Sequence, residues 1–553
     1  MENQEYVLKP EECVLAIYHI QGKQDFIYKS NKMQQISGAS LIIRDCFKKF
    51  LIPAYNYDKV KIQKKAIYNP KSPKDSFNED VFRGHINDGY VGEVIYEGGG
   101  NCYILYKDIT SYYEINKIFY RKLLEKTYSL SIITSYIKGV NFDDFKKDWD
   151  SLEKEHRKRK ARNSNIYPVN ALPIVQVDDR NYMPLAETVQ IGKIDGEGKI
   201  KEPKMVKVSY EASKKYEKFR SFWNQKEEDV AKEIVDKDDV NGKNTDTVFE
   251  FISGERFLDN IVTERGEESL LAVIYIDGNN MGARVKNCVS EGTYEQCVKK
   301  LREYSDQIKR LYIDNRLDGI KEILDTKKED KRRFVIYAGD EITFICNARH
   351  AYDAACEYLE GLYNEQEVER DRRTSCAGIC IFHSHMPFAE AYKIAEECCS
   401  SAKKKMQKEG IENASLLDFH YCQGAIGTSL EDIREHEGCV DISRPWFIIQ
   451  DHEKMDGKNY ITKETVEKMK KELKKLGKSN IKDLMFAAKK GQTDFEIELE
   501  RIKAHYKDPN GMGELNLDLS GEIEKETQRK LIYDMVMVYD LWFSHAEEVK
   551  VNE

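Results

Sequence analysis

An α+β fold, with antiparallel hairpins laid against helices and a helical C-terminal region, is what this sequence predicts, and three observations carry the prediction. Two pairs of short apolar runs, in 91–106 and 333–346, flank glycine-bearing turns and read as β-hairpins. Each hairpin is followed by apolar residues at helical spacing. Past Asp451 the chain turns strongly charged and periodic, as surface helices do.

In chain order, Val14 to His19 reads as a strand and Lys32 to Phe50 as an amphipathic helix. VGEVIYE, then Gly98-Gly99-Gly100-Asn101, then CYILY make the first hairpin. Residues 113–160 are predicted to be mainly helical, and 170–250, charged and broken by glycine, a connector with some strand character. From Leu270, LLAVIYID is a nearly continuous apolar run ending in an acid, as a strand buried on both faces does. A helix from Glu295 to Asp314 leads to the second hairpin, Arg333–Tyr337 and Ile342–Cys346 around Ala338-Gly339-Asp340-Glu341. A helix (Ala351–Tyr363), a strand (TSCAGICIF), a helix (Phe388–Gln407) and a strand (SLLDFHYC) follow. That order is β-α-β-β-α-β with an extra α-β, a split βαβ or ferredoxin-like arrangement. Helices are predicted at 463–476, 480–505 and 522–547.

A chain of 553 residues holds about three or four folding units at roughly 100–200 residues each. With 41% apolar and 33% charged residues it is an ordinary globular chain, without long disorder. A formal charge of -9 gives no global basic field for nucleic acid, and the local run HRKRKAR, His156 to Arg162, reads as a solvated helix face. The 13 cysteines include no CxxC pair, which excludes a zinc ribbon and a disulfide framework. The N-terminus lacks a signal pattern and no apolar run approaches the ~20 residues of a membrane span. A cytoplasmic protein without a membrane partner is expected.

The chemistry concentrates in the second hairpin region. In a βαββαβ sheet the first strand lies beside the central hairpin, so Asp277 and Asp340 can converge, with Glu341 next to Asp340. Hard oxygen ligands of this kind suit Mg2+ or Mn2+, held by one or two carboxylates plus substrate phosphates. Gly278, Gly282 and Gly339 remove Cβ atoms where a triphosphate or sugar must approach the backbone, and Asn279 and Asn280 stand in the same turn. His383 and His385 alternate at a strand end and read as surface or core histidines; Glu255, Asp259 and Glu264 read as a solvated helix face.

IYIDGNNMG, YAGDE and SCAGICIF…AEECCSSAKKK resemble the second Palm domain of the large Csm/Cmr subunit of type III CRISPR complexes, and more distantly GGDEF cyclases. The usual helix motif of the cyclases aligns without a gap to Ala395 through Lys403, which implies that Lys403 contacts phosphate. HIQGKQDFIYKSNKMQQISGASLI and the later GGGN look like that family's first Palm domain, whose hairpin has lost its metal carboxylates. The resemblance implies two Palms acting as a pseudo-dimer within one chain. It also implies that Ser37, Gly38, Gly98, Gly99, Gly100 and Asn101 help hold an acceptor nucleotide.

The implied organisation is two ferredoxin-like Palm domains and a C-terminal helical domain. The first Palm spans 1–135, a helical, charged linker domain 136–255, the catalytic Palm 256–425 and the helical domain 426–553. The implied activity is a nucleotidyltransferase or nucleotide cyclase that converts nucleoside triphosphates, ATP first, into a cyclic or oligonucleotide signal for antiviral defence, under an RNA or protein activator. A nucleotide sensor without turnover and an RNA-binding scaffold are the alternatives. The chain departs from the family at Asn279 and Glu341, where aspartates are usual. It also lacks a His-Asp pair for the family's nuclease and the zinc cysteines between the Palms, whose place LPIVQVDDRNYMPLAE takes.

Overall fold

The structure is a computed structural model, and it describes residues 6–53, 66–162, 174–194, 200–228, 263, 269–316, 319–320, 332–365, 372–424, 429–439, 441–450, 459–507, 513–519 and 523–543. The acids Glu255, Asp259 and Glu264 and the last residues of the expected 522–547 helix lie outside the described residues.

The N-terminal strands and helices are β1 (Val14–Gln21), α1 (Lys23–Tyr28), α2 (Met33–Asp45), β2 (Ala66–Tyr68), α3 (Glu79–Asn87), β3 (Tyr90–Gly98), β4 (Asn101–Tyr106), α4 (Ile109–Thr127), β5 (Ser131–Lys138) and α5 (Phe145–Arg162). A two-stranded ribbon, β6 (Leu185–Ile194) and β7 (Ile200–Ser209), precedes α6 (Tyr210–Glu228). Next come β8 (Leu270–Gly278), α7 (Met281–Cys288), α8 (Tyr294–Ile308), β9 (Arg332–Ala338), β10 (Glu341–Asn347), α9 (Ala351–Asn364), β11 (Ser375–His383), α10 (Phe388–Glu409) and β12 (Ser415–Tyr421). The chain ends with α11 (Leu430–His436), β13 (Trp446–Ile449), α12 (Lys463–Leu473), α13 (Lys478–Lys490), α14 (Gln492–His505) and α15 (Lys525–Met537).

The fold is α+β, as the hairpins and periodic stretches predict. The first sheet runs β2-β3-β4-β1-β5 and the second β13-β12-β11-β8-β10-β9. In each, the first strand is interior and antiparallel to both neighbours: β1 between β4 and β5, β8 between β10 and β11. Two stretches expected to be helical are divided. SIITSYIK, inside 113–160, is strand β5, because its β-branched Ile132, Ile133 and Thr134 are buried against β1. Gly491, at φ 138, breaks the expected 480–505 helix into α13 and α14.

Two compact units divide the chain. The first comprises 1–257, 280–314 and 335–340; the second 258–279, 315–334 and 341–553. They interleave, whereas the four segments read from the sequence are consecutive. In the first unit, Thr293 and Gln296 close a capping box that starts α8. The buried stripe Tyr294, Cys297, Val298 and Leu301 then completes a core with Leu15, Ile17, Phe77, Phe82 and Trp149. Each fully buried side chain of that size contributes ~1.5–3 kcal/mol. In the second unit, Asp534 of α15 accepts from the Ser443 and Arg444 backbone N–H groups at 2.7 and 3.1 Å, and Arg434 of α11 donates to Asp418 of β12 at 2.7 Å. The C-terminal helices are thereby tied to the sheet that precedes them.

HRKRKAR forms the end of α5, and its last six residues are exposed while His156 is buried beside Ser135 Oγ at 3.2 Å. Burial, then His19 and Lys160, lowers the imidazole from its ordinary 6.5 to about 4. The unfolded chain therefore takes up this proton first. Its stabilising effect is complete above 6.5 and is lost as pH falls toward about 4. Urea midpoints measured down through that window should fall less steeply in His156→Gln than in the parent; parallel slopes would remove His156 as a cause.

Among the described residues no helix is long and apolar enough to cross a membrane.

Candidate active site

The site grows from β8. Leu271 to Ile276 are buried, whereas Asp277 at the strand's end keeps 30% of its side chain exposed. Asp277 stands directly across from Glu341, the first residue of β10, and across from Cys376 of β11 on its other side. Opposed residues on antiparallel strands hold their Cβ atoms about 4.5–5.5 Å apart, so Asp277 and Glu341 place two carboxyl groups at one corner. Like charges so placed repel unless a cation intervenes.

Lys403 of α10 supplies that cation in this structure. Its Nζ donates to Asp277 Oδ2 at 2.6 Å and to the Gly278 carbonyl at 2.7 Å. Burial alone lowers a lysine; here Asp277 outweighs it and holds the ammonium above its ordinary range. The helix lies close because β11 carries Gly378: a Cβ there would sit 1.9 Å from the Ala395 carbonyl and 2.4 Å from the Cys399 N. Gly410, left-handed at φ 67, ends the helix.

The same helix face brings two further groups that the sequence reading did not single out. Tyr392 Oη donates to Glu341 Oε1 at 3.4 Å, and its ring packs edge-on against Tyr275 at 5.6 Å. Burial, then Glu341 and Asp277, keeps the Tyr275 phenol protonated. Burial, then Asp277 and Glu397, raises the Glu396 carboxyl. The signal was present: positions 392, 396, 399 and 403 recur at three- and four-residue steps along one face.

Asp340 occupies the turn with Gly339, which is left-handed at φ 68 and would have nothing within 4 Å of a Cβ. The Asp340 charge is felt by Tyr96, whose phenol is pushed up by burial first and then by Tyr304 and Asp340. Gly282 likewise has open space around a notional Cβ, and Asn280 is left-handed at φ 58 at the start of α7. These positions keep the room a ligand needs.

Other expected contacts have structural work. The Asn279 amide is buried, and its Nδ2 donates to Thr374 Oγ1 at 2.9 Å and the Ala414 carbonyl at 3.1 Å. Its Nδ2 ties the start of β8's turn to Thr374 and Ala414, while its buried Oδ1 meets no hydrogen-bond donor among the described residues. Asn279→Asp replaces a two-bond donor by an acceptor facing a carbonyl and should cost about 2 kcal/mol in stability. A lower metal requirement with unchanged melting would put Asn279 at the metal.

Ser37 is buried within α2, and a Cβ on Gly38 would lie 2.0 Å from the Lys215 carbonyl of α6. Both serve helix packing. Side chains also fill the space that Gly98 and Gly100 leave: a Cβ would come 2.3 Å from Tyr96 Oη and 2.5 Å from Lys23 Cε, respectively. Gly99 is left-handed at φ 59, and its carbonyl accepts from Lys23 Nζ at 3.0 Å. Asn101 Oδ1 accepts from His19 Nδ1 at 2.7 Å. His19 faces Asn101 across β1 and β4 as Asp277 faces Glu341 across β8 and β10. The first sheet thus carries an imidazole and an amide where the second carries two acids.

Among the described residues no three His, Cys, Asp or Glu side chains form a ready-made metal cage. His383 and His385 pack ring against ring at 4.9 Å, and the His385 backbone N–H donates to His383 Nδ1 at 3.3 Å. The donors at the β8 corner are carboxylates, and the nearby Cys399 thiol is turned to the Cys376 carbonyl at 3.2 Å. Such a set fits Mg2+ or Mn2+ arriving with a phosphate ligand, and would hold a free ion weakly.

A central acidic strand beside a hairpin of the same sheet, under a lysine-bearing helix, defines a palm-type domain. Residues 270–412 match the family model described as Cas10/Cmr2, second palm domain. Among solved structures, it is similar to a Csm1-Csm4 cassette in complex with AMPPNP, at 12% identity and TM-score 0.48, over 97% of this chain and 71% of that chain. It is similar to the cassette in complex with cA4 at 11% identity and TM-score 0.45, over 95% and 70% of the two chains. For the Csm1-Csm4 subcomplex of the type III-A CRISPR-Csm interference complex the values are 12%, 0.47, 95% and 70%. No curated protein matches the sequence.

Proposed function

We propose that the chain is a nucleotidyltransferase or nucleotide cyclase that takes nucleoside triphosphates, ATP first, to a cyclic or oligonucleotide product within a CRISPR-type defence system. The observation that carries this reading is the Asp277–Glu341 pair facing across β8 and β10, with Lys403 on Asp277. Its support is the palm match over 270–412.

In this reading Asp277, Asp340 and Glu341 hold Mg2+ or Mn2+, which, when bound, neutralises charge on the reacting phosphate. The chain's own residues do the rest. Tyr392 holds the orientation of Glu341, Gly339 keeps the turn open to a sugar or phosphate, and Lys403 contacts the triphosphate. Four NTPs, each incubated with the purified full chain and Mg2+ or Mn2+ and followed by mass spectrometry, test it. A cyclic or linked product supports transfer; nucleotide bound and recovered intact would make the chain a sensor.

A further inference from the structure

In the second unit one ammonium engages two oxygens of the acidic corner at once: Lys403 Nζ lies 2.6 Å from Asp277 Oδ2 and 2.7 Å from the Gly278 carbonyl. A divalent ion needs the same carboxylate. Two cations on one carboxylate at hydrogen-bond range repel, so the ammonium on Oδ2 weakens metal binding there.

We infer that Lys403 is a resident counter-cation that keeps free divalent metal off Asp277 until a triphosphate draws the ammonium away. The inference rests on the proposed nucleotide reading of this corner. Without a cation, Asp277 and Glu341 would face each other across the strands with Asp277 also acting on Glu396, whose carboxyl burial and Asp277 already raise. Lys403 relieves that repulsion in the nucleotide-free protein. It is also free to leave. Its side chain is 31% exposed, and a lysine is a point charge on a flexible four-carbon stem. Its ammonium carries three donors, two of them engaged here, so the third can meet a phosphate oxygen before the others let go. The helix fixes only the root of the side chain, because Gly378 clamps α10 to β11 through the Ala395 and Cys399 backbone. Metal and nucleotide then enter as one unit, and a pool of free metal does not charge the site.

The test reads metal binding, not turnover. Mn2+ is titrated into the full-length protein without nucleotide, and the loss of the free-ion electron paramagnetic resonance signal gives its Kd. Lys403→Met, which keeps length and removes charge, should bind free Mn2+ about tenfold more tightly than the parent or better, the scale of one lost cation contact. Lys403→Arg should stay near the parent. A non-hydrolysable ATP analogue should tighten Mn2+ binding markedly in the parent and less in Lys403→Met. Lys403→Gln serves the same purpose if the methionine variant does not fold. Equal or weaker free Mn2+ binding in the neutral variants would overturn the inference. Absence of Mn2+ binding in every form, with or without the analogue, would instead remove the metal site on which the proposed function stands.

Discussion

Asp277→Ala is expected to abolish product formation, by about 10³-fold or more, while the protein still folds. Charge neutralisation by a metal is worth several kcal/mol in phosphoryl transfer, and each ~1.4 kcal/mol is a factor of ten in rate. Asp277 has the best claim to that role, since it ends a buried strand yet stays 30% exposed and faces Glu341. Its removal leaves Lys403 without its carboxylate, but Lys403 is 31% exposed and water can take the partner's place. Asp340→Ala should match it, as a turn residue beside Gly339 contributes little to packing. The double variant should be no slower than either single one, because residues acting on one centre are not additive. The measurement is product per enzyme by mass spectrometry, alongside melting curves. Full turnover in Asp277→Ala would defeat the site; loss of the melting transition would show a folding defect instead.

The sequence made the corner legible because its signals are local. An apolar run that ends in aspartate, a glycine-bearing turn carrying two acids, and a helix whose face repeats through Lys403 each announce themselves within a dozen or so residues. Non-local partners do not. Nothing in DGNN distinguishes an amide aimed at a ligand from one bonded to Thr374 and Ala414, which lie far along the chain. Glycines misled for a related reason: Gly339 leaves space open, but the space beside Gly98 and Gly100 holds Tyr96 and Lys23. Strand β5 was hidden because its period-2 signal is short and sits between two strong helices. Least legible of all was that α8, which follows β8 by sequence, completes the core of the first unit.

That placement of α8 makes Arg302 the residue whose loss should damage the fold most. Its guanidinium, only 6% exposed, meets Glu93 Oε1 at 3.0 Å and the carbonyls of Val94, Ile95 and Asp75 at 2.7, 3.3 and 3.1 Å. It also lies 5.7 Å from the Phe77 ring. Glu93 is 1% exposed, and its other side-chain partner is His85, whose Nδ1 is 2.7 Å from Oε2. Removing one partner of such a buried pair costs about 3–5 kcal/mol, since the other charge stays buried without compensation. Arg302→Ala should lose that much in urea unfolding, and Arg302→Lys should recover only part, because a lysine cannot fork to four oxygens. The loss should also depend on pH. Burial raises the Glu93 carboxyl from 4.5 even with Arg302 and His85 opposing it, and without Arg302 it rises further. A carboxyl whose folded value is raised stabilises below the unfolded value and loses that effect as pH climbs through the folded one, so the variant should be worse at neutral pH than in acid. Replacing both Arg302 and Glu93 by apolar residues of similar volume should restore much of the stability. A penalty for Arg302→Ala below ~1 kcal/mol, or one that grows in acid, would mean that this pair is not what binds α8 to β3.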